Sequence, residues 1–394
     1  MSGLSELARG LSGPQGFVVA SQAVPAPDAI RLVGGVPAAE ALPVRELARA
    51  SAELWQDPAA AIASLQYSAP HGFPGLRAWI AGREGVHPDR IVITNGGMHG
   101  LTLAVLTLVE RDATVAVDDP VFPGFRWALE VATKRVLPVP LDADGLDVDH
   151  LARRLAAGER IAAVYTVPDF HNPAQVCLSA ERRQALVELA ERHGFYVIVD
   201  DPYRELRFAG RDQGAGVFHD SDRAVHVNTF TKTLGAGWRA GWMVLPEHLV
   251  DPVIRLRNRL DVHTGSVTQA IIERVVTSDD KWFDGLVRDA SAIYRERAGV
   301  LVDALHEHLP GAFEIRPPEG GLFLWARLTD DRLDPADLFR RAAASGVLYQ
   351  PGEFFAADPG NRSSDRFLRF AYSDRTPAEL REAARRLASA FRSG

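Results

Sequence analysis

Between about residue 90 and residue 246, short apolar runs alternate with segments of helical period. The runs cover residues 91–94, 114–117, 161–167, 196–199, 224–227 and 238–245. Their apolarity is continuous rather than alternating, which predicts strands buried on both faces and a largely parallel sheet. Helices are predicted between them. Residues 180–193 form one, with Ser179 as N-cap and Gly194 as stop. Strand and helix in alternation is the α/β pattern.

The flanks read differently. Residues 1–45 are irregular and rich in Gly and Pro. Beyond about residue 285 come a long helical stretch, short strands at 321–326 and 367–372, and a closing helix. Thr376, Pro377 and Glu379 spell the start of that helix: cap, first turn and returning carboxylate. The expected organisation is a large domain over 46–285 and a smaller α+β domain over 286–394, joined by the segment 1–45. Residues 247–285 are expected to supply the connecting helix.

Composition narrows the function classes. The chain has 394 residues, a net charge of −7 and 46% hydrophobic residues, a globular profile. Mild acidity and the lack of a basic run speak against nucleic-acid binding. A single cysteine, Cys177, excludes an intramolecular disulfide framework and fits a reducing compartment. No apolar run approaches a membrane span, and the first residues lack the pattern of a signal peptide. The expectation is a cytoplasmic protein.

Chemistry concentrates in "NTFTKTLGAGWRAGW", residues 228–242. Lys232 follows an apolar run and precedes three glycines. It is either a surface lysine at a strand end or a partly desolvated amine. The desolvated form loses its proton readily and attacks aldehydes. Gly235, Gly237 and Gly241 are spaced one residue too long for a dinucleotide fingerprint, and no ATP phosphate loop is present. Beside Arg239 the glycines could hold one phosphate monoester.

Four further stretches contribute. Asp200 closes an apolar strand, with Tyr203 three residues on, and reads either as a ligand carboxylate or as turn chemistry. Asn172, held extended by Pro173, is either an amide donor or a turn residue. His171 beside it reads as a loop histidine rather than a metal ligand. In "VITNGGMHGL", residues 92–101, a strand, two glycines and a helix make either an anion site or a plain turn. Arg369, within "RFLRFAYS" (366–373), is either a buried cation needing an anion or an edge arginine facing water.

Taken together, in this order and spacing, these motifs resemble fold-type I pyridoxal-phosphate enzymes, and more narrowly the class I/II aminotransferases. Within them the chain resembles the group that includes 2-aminoadipate and kynurenine aminotransferases and the aminotransferase-like half of MocR regulators. "LVGGVP" (32–37), "LQYSAPHGFPGLR" (65–77), "PEGGLFLWARL" (318–328) and "PGEFF" (351–355) extend the resemblance over nearly the whole chain. It starts near residue 15, which leaves no room for a DNA-reading domain and disfavours a regulator.

The resemblance implies a large domain with a mostly parallel sheet, a small α+β domain, and pyridoxal 5′-phosphate as cofactor. Lys232 would form the Schiff base and shuttle the proton. Asp200 would pair with the pyridine nitrogen, and Asn172 and Tyr203 with the ring's 3′ oxygen. Phe122 would stack on the ring. Gly97, Met98, Thr229, Thr231 and Arg239 would hold the phosphate, joined by Tyr67 from a neighbouring subunit, which implies a homodimer. Arg369 would clamp the substrate carboxylate, with Gly35 leaving room for it. The substrates would be an α-amino acid and a 2-oxo acid.

The chain departs from the usual pattern at Phe122, Ala174–Gln175, Thr229, Thr231, Met98–His99 and Ala236. Two alternatives to transamination therefore stay open: another cofactor-dependent reaction on an amino acid (elimination, replacement, cyclisation or oxidation), or a non-catalytic cofactor-binding regulator. The side-chain pocket is expected from residues 15–35, around His99, and from His263 of a second subunit. Arg31 is the only arginine within 15–35.

Overall fold

All six apolar runs become strands of one eight-stranded sheet in the computed structural model, which describes residues 3–11, 26–358 and 360–392. The order across it is Ile91–Thr94, Gly241–Val244, Ala224–Thr229, Tyr196–Asp200, Ala163–Thr166, Val115–Asp119, Val136–Asp142 and Gly145–Leu146. Neighbours are parallel except around Gly241–Val244, antiparallel to both sides, and at the terminal pair. Val136–Asp142 had no counterpart in the apolar pattern. Pro138 and Pro140 interrupt it, and prolines are tolerated near a sheet edge, where fewer ladder bonds are lost.

The period of two along each strand sorts residues between two faces. Val117, Tyr165, Ile198 and Val227 pack with Leu101, Val105 and Phe125 on one face. Ala116, Val164, Val197, Val199 and Ala224 pack with Leu151, Leu186 and Ala190 on the other. The helix Ala180–His193 has the expected ends: Ser179 accepts from Arg182 N, and Gly194 is left-handed.

The C-terminal third forms a four-stranded antiparallel sheet, Phe313–Ile315, Phe323–Leu328, Phe367–Ala371 and Gln350–Pro351 in spatial order. Ile30–Arg31 pairs in parallel with Val347–Leu348. The closing helix Pro377–Arg392 begins with a reciprocal cap: Thr376 N donates to Glu379 Oε2 at 2.8 Å and Glu379 N to Thr376 Oγ1 at 3.2 Å.

The expected connecting helix over 247–285 is not what forms there. Two helices, Glu247–Arg257 and Ser266–Val276, pack on the large sheet's own layer, against Gly97–Leu108 and against Val44–Gln56 and Pro74–Glu84. The long helix Trp282–His308 instead leads into the small domain and packs on Pro377–Arg392. The turn at 258–265 and the polar run at 277–281 break the helical period, so one helix cannot span both. Among the described residues, no helix is long and apolar enough to cross a membrane.

Candidate active site

Strands Ala163–Thr166, Tyr196–Asp200 and Ala224–Thr229 run in one direction, so their C-terminal ends share one edge of the sheet. Crevices beyond such ends are where open α/β sheets bind ligands. A cavity of about 300 Å³ opens there, closed from above by the small domain. It gathers Gly35, Gly97, Met98, Phe122, Asn172, Asp200, Tyr203, Thr229, Thr231, Lys232, Arg239 and Arg369. Of the residues expected to hold the cofactor or the substrate carboxylate, all but Tyr67 are therefore there. Tyr67 lies outside, 88% exposed, its ring edge against His263 at 5.8 Å.

Asp200 ends its strand on the face shared with Ile198 and is 5% exposed. Tyr165, on the neighbouring strand, donates to Asp200 Oδ2 at 2.7 Å. Among the described residues, no cation forms an ion pair with this carboxylate. Burial pushes it up to about 7, offset by the Tyr165 bond and by the Lys232 charge, while Asp201 adds to the rise. A desolvated acid without a cation is a receptor for one. Tyr165 was missed from the sequence because only strand order brings it beside Asp200.

Lys232 ends a short 3₁₀ turn, Phe230–Lys232, that follows strand Ala224–Thr229 directly. Its amine donates to the Gly35 carbonyl at 2.7 Å and lies 5.6 Å from the Tyr203 ring centre. Burial and the charge of Arg369 lower it to about 8, against the pull of Asp200. Neutral amine is thus accessible near neutral pH, as a nucleophile or proton carrier requires. Burial also pushes the Tyr203 phenol up, against Arg369.

The opposite end of the cavity suits an anion. Helix Gly97–Leu108 starts there with its first N–H groups free of intrahelical partners. Gly96 holds φ +82°, and a Cβ on it would meet the Arg239 guanidinium at 2.7 Å. Arg239 is itself left-handed at φ +48°, its Nη2 donating to Asn95 O at 3.3 Å. Thr229 and Thr231 hydroxyls lie 2.8 Å apart on the same side. These groups fit one phosphate monoester.

Arg369 is buried, not an edge arginine, because Phe323–Leu328 and Gln350–Pro351 flank its strand. Nη1 donates to Asn172 Oδ1 and Nη2 to the Val33 carbonyl, both at 2.7 Å. The guanidinium sits over Phe323 at 4.1 Å and Phe355 at 4.8 Å. Among the described residues no carboxylate pairs with it, and burial lowers it to about 10. It is a fork awaiting an anion.

His171 is in a loop, as expected, and is buried there, with Nε2 3.1 Å from Asp118. Several expectations need correction. His99 does not line the cavity; its Nδ1 accepts from Asn95 N at 3.0 Å and lies 3.8 Å from Asp261. Gln175 is buried under the small-domain loop, donating to the Phe170 and His171 carbonyls. Two residues that had suggested altered chemistry thus serve structure. Arg31 is exposed on its strand, away from the cavity. Residues 15–25 of the expected side-chain pocket lie outside the described residues. Met98 and Leu101, on either side of His99, do line the cavity, and the walls missed from sequence include Trp127, Gln350 and Phe354.

The comparisons agree with this geometry. The family described as aminotransferase class I and II matches residues 30–387. The chain is 30% identical over 377 residues to aromatic-amino-acid aminotransferase 1 of Thermococcus litoralis, covering 93% of this chain and 88% of that one. The α-aminoadipate aminotransferase of Thermus thermophilus, solved with N-(5′-phosphopyridoxyl)-L-leucine, superposes with a TM-score of 0.85 at 27% identity and 93% coverage of each chain. The transcriptional regulator TauR of Rhodobacter capsulatus is 31% identical over 360 residues, 90% of this chain but 69% of that one. An amine, an uncompensated acid and an anion cradle in one cavity fit pyridoxal 5′-phosphate in charge and chemistry. The chain belongs to the class I and II aminotransferases and is a pyridoxal-phosphate-dependent enzyme of fold type I.

Proposed function

We propose that this aminotransferase works on α-amino acids with one carboxylate and an apolar or aromatic side chain, passing the amino group to a 2-oxo acid. The carrying observation is the distribution of charge in the cavity. Its cations are Lys232, Arg239 and Arg369. The first is the reactive amine and the second belongs to the phosphate end. Only Arg369 is left for the substrate, enough for the α-carboxylate and no more. Most of the remaining walls, among them Val33, Leu101, Phe122, Trp127, Phe354 and Phe355, are apolar, and Gln350 adds a neutral amide but no charge. Residues 12–25 contain no charged residue in their sequence.

When bound, pyridoxal phosphate supplies a carbonyl that condenses with amines and a ring that withdraws electrons from the substrate's Cα. The side chains do the rest. Gly97, Met98, Thr229, Thr231 and Arg239 hold the phosphate end. Asp200 would pair with the pyridine nitrogen and favour its protonated form. Asn172 and Tyr203 bind the 3′ oxygen, and Phe122 covers the ring. Arg369, Asn172 and Gly35 seat the substrate carboxylate. Lys232 Nζ binds the cofactor and takes the proton from the substrate Cα.

A homodimer is part of the same proposal, with Tyr67 reaching the partner's phosphate end. It is supported by exposed apolar side chains at Leu65, Tyr67, Leu260 and Val262, from two stretches that meet through Tyr67 and His263. A cytoplasmic location is supported by the single cysteine.

The test is a single half-reaction. Holoenzyme given leucine or phenylalanine without an acceptor is expected to release one equivalent of 2-oxo acid per site and then stop. Continuous turnover without acceptor, or no product from any amino acid, would overturn the proposal. Lys232→Ala should release none.

A further inference from the structure

The period of two that turns Asp200 toward the cavity turns Asp201 to the far face, and it turns His226 there too, beside Ala224. On that face lies a buried chain of hydrogen bonds unconnected with the cavity. His226 Nε2 is 3.1 Å from Asp201 Oδ2. His226 Nδ1 is 2.9 Å from His219 Nε2. His219 Nδ1 is 3.0 Å from the Glu84 carbonyl. The two rings are 1% and 5% exposed, so no water replaces a missing bond.

Both ends of this chain are oxygens that only accept. A carboxylate and a carbonyl each demand an N–H, so His226 Nε2 and His219 Nδ1 both carry protons. The inner nitrogens then face each other and need one proton between them. Two neutral rings hold one proton fewer than these contacts require. Without the extra proton, two lone pairs would collide in the dry interior or one end would lose its bond.

The surrounding charges balance with that proton. Asp201 and Glu84 are the acids, and burial notwithstanding their partners hold both below the usual carboxylate range. Among the described residues Arg204 is the one fixed cation touching both, at 2.9 Å from Glu84 Oε2 and 3.5 Å from Asp201 Oδ2. Trp242 Nε1 also donates to Glu84, at 3.0 Å. Two acids, one arginine and one imidazolium sum to zero. Nearby, Asp169 is shared by Arg183 and Arg207, and Arg83, Glu205 and Asp212 line the cleft outside His219. The same two nitrogens and Glu84 are also spaced for a metal ion. A divalent cation in place of the proton would leave a buried net charge beside Arg204, which burial penalises.

We propose that His219 and His226 hold one extra proton between them, and that the His226 imidazolium is a positioning residue that balances Asp201 and thereby keeps Asp200 ionised toward the cofactor. This rests on the proposed role of Asp200. The Asp201 charge raises Asp200 and the His226 charge lowers it, so the balance between them is felt across the strand. His226 is the ring in contact with a carboxylate, Asp201, while His219 faces a neutral carbonyl, so the positive charge belongs on His226.

Nitrogen-15 NMR of histidine-labelled, cofactor-free protein at pH 8 tests the proton directly. One ring with both nitrogens protonated is expected, and its signal should vanish in His226→Gln. Two neutral rings, or a stoichiometric divalent metal by elemental analysis, would overturn the proposal without reference to the cofactor. In holoenzyme, His226→Gln should move the acidic limb of kcat/KM up by about one pH unit. Adding Asp201→Asn should move it back, which a purely structural defect would not do. A limb unmoved by His226→Gln counts against the proposal. Asp200→Asn separates the two readings: full activity there would overturn the role of Asp200 itself.

Discussion

The Lys232 amine donates to the carbonyl of Gly35, 197 residues away in sequence, at 2.7 Å. The contact ties the segment before the first helix of the large domain to the reactive amine. A Cβ on Gly35 would come within 2.4 Å of Phe323 Cζ, and Phe323 lies 4.1 Å under the Arg369 guanidinium. Gly35→Ala should therefore disturb the amine and the arginine together. We expect kcat/KM to fall at least ~10-fold with a thermal midpoint changed by only a few degrees, since a misplaced site costs rate before it costs fold. Unchanged kinetics would show that Phe323 yields freely.

Lys232 is lowered to about 8 while an unfolded lysine stays near its ordinary value. The folded state thus binds fewer protons between those limits, so in the cofactor-free protein this group's contribution makes stability rise as pH climbs from about 8 toward 10. Cofactor uptake should accelerate over pH 7 to 9, as the neutral amine appears. Stopped-flow absorbance on mixing with pyridoxal phosphate checks this. A flat rate would mean that the amine is already neutral or that another step limits uptake.

Asp200 has the opposite sign. Its folded value of about 7 lies above the unfolded one, so its stabilisation is full at low pH and is lost as pH rises through 7. Asp200→Asn should make cofactor-free protein more stable at pH 8 by roughly 2 kcal/mol, and leave it weak in cofactor binding and nearly inactive. Thermal melts with and without cofactor measure both. A variant less stable at pH 8 would contradict the uncompensated carboxylate.

Arg369→Lys keeps the charge and loses the fork. For leucine or phenylalanine, kcat/KM should fall on the order of 100-fold, mostly through KM, with the cofactor's absorbance unaltered. Trp127→Ala should then cost bulky substrates about 10-fold and leave alanine little affected. Equal losses for every amino acid would remove Trp127 from the side-chain pocket.

Leu65→Asp with Leu260→Asp places charge on the exposed apolar stretch beside Tyr67. Sedimentation should report a monomer with little activity, against an active dimer for the parent chain. A parent chain that sediments as a monomer and turns over would end the shared-site proposal.

The sequence by itself determined the elements and the chemistry carried next to them. Short continuous apolar runs bounded by turn residues favour strands buried on two faces, and the caps at Ser179 and Thr376 act within one turn, so both were legible locally. Lys232, Asp200 and Arg369 stood out because each is a polar group just after, at the end of or within an apolar strand, and Asn172 because it precedes Pro173. Tertiary structure decided what those groups touch. Tyr165 reaches Asp200 only because their strands pair, and Arg369 is buried only because strands flank it on both sides. His99 and Gln175 looked chemical and proved structural, since their partners Asn95, Phe170 and His171 lie outside the cavity. The His219–His226 pair had no sequence signal at all. Its proton follows from two acceptors that only strand parity and sheet order bring to either end.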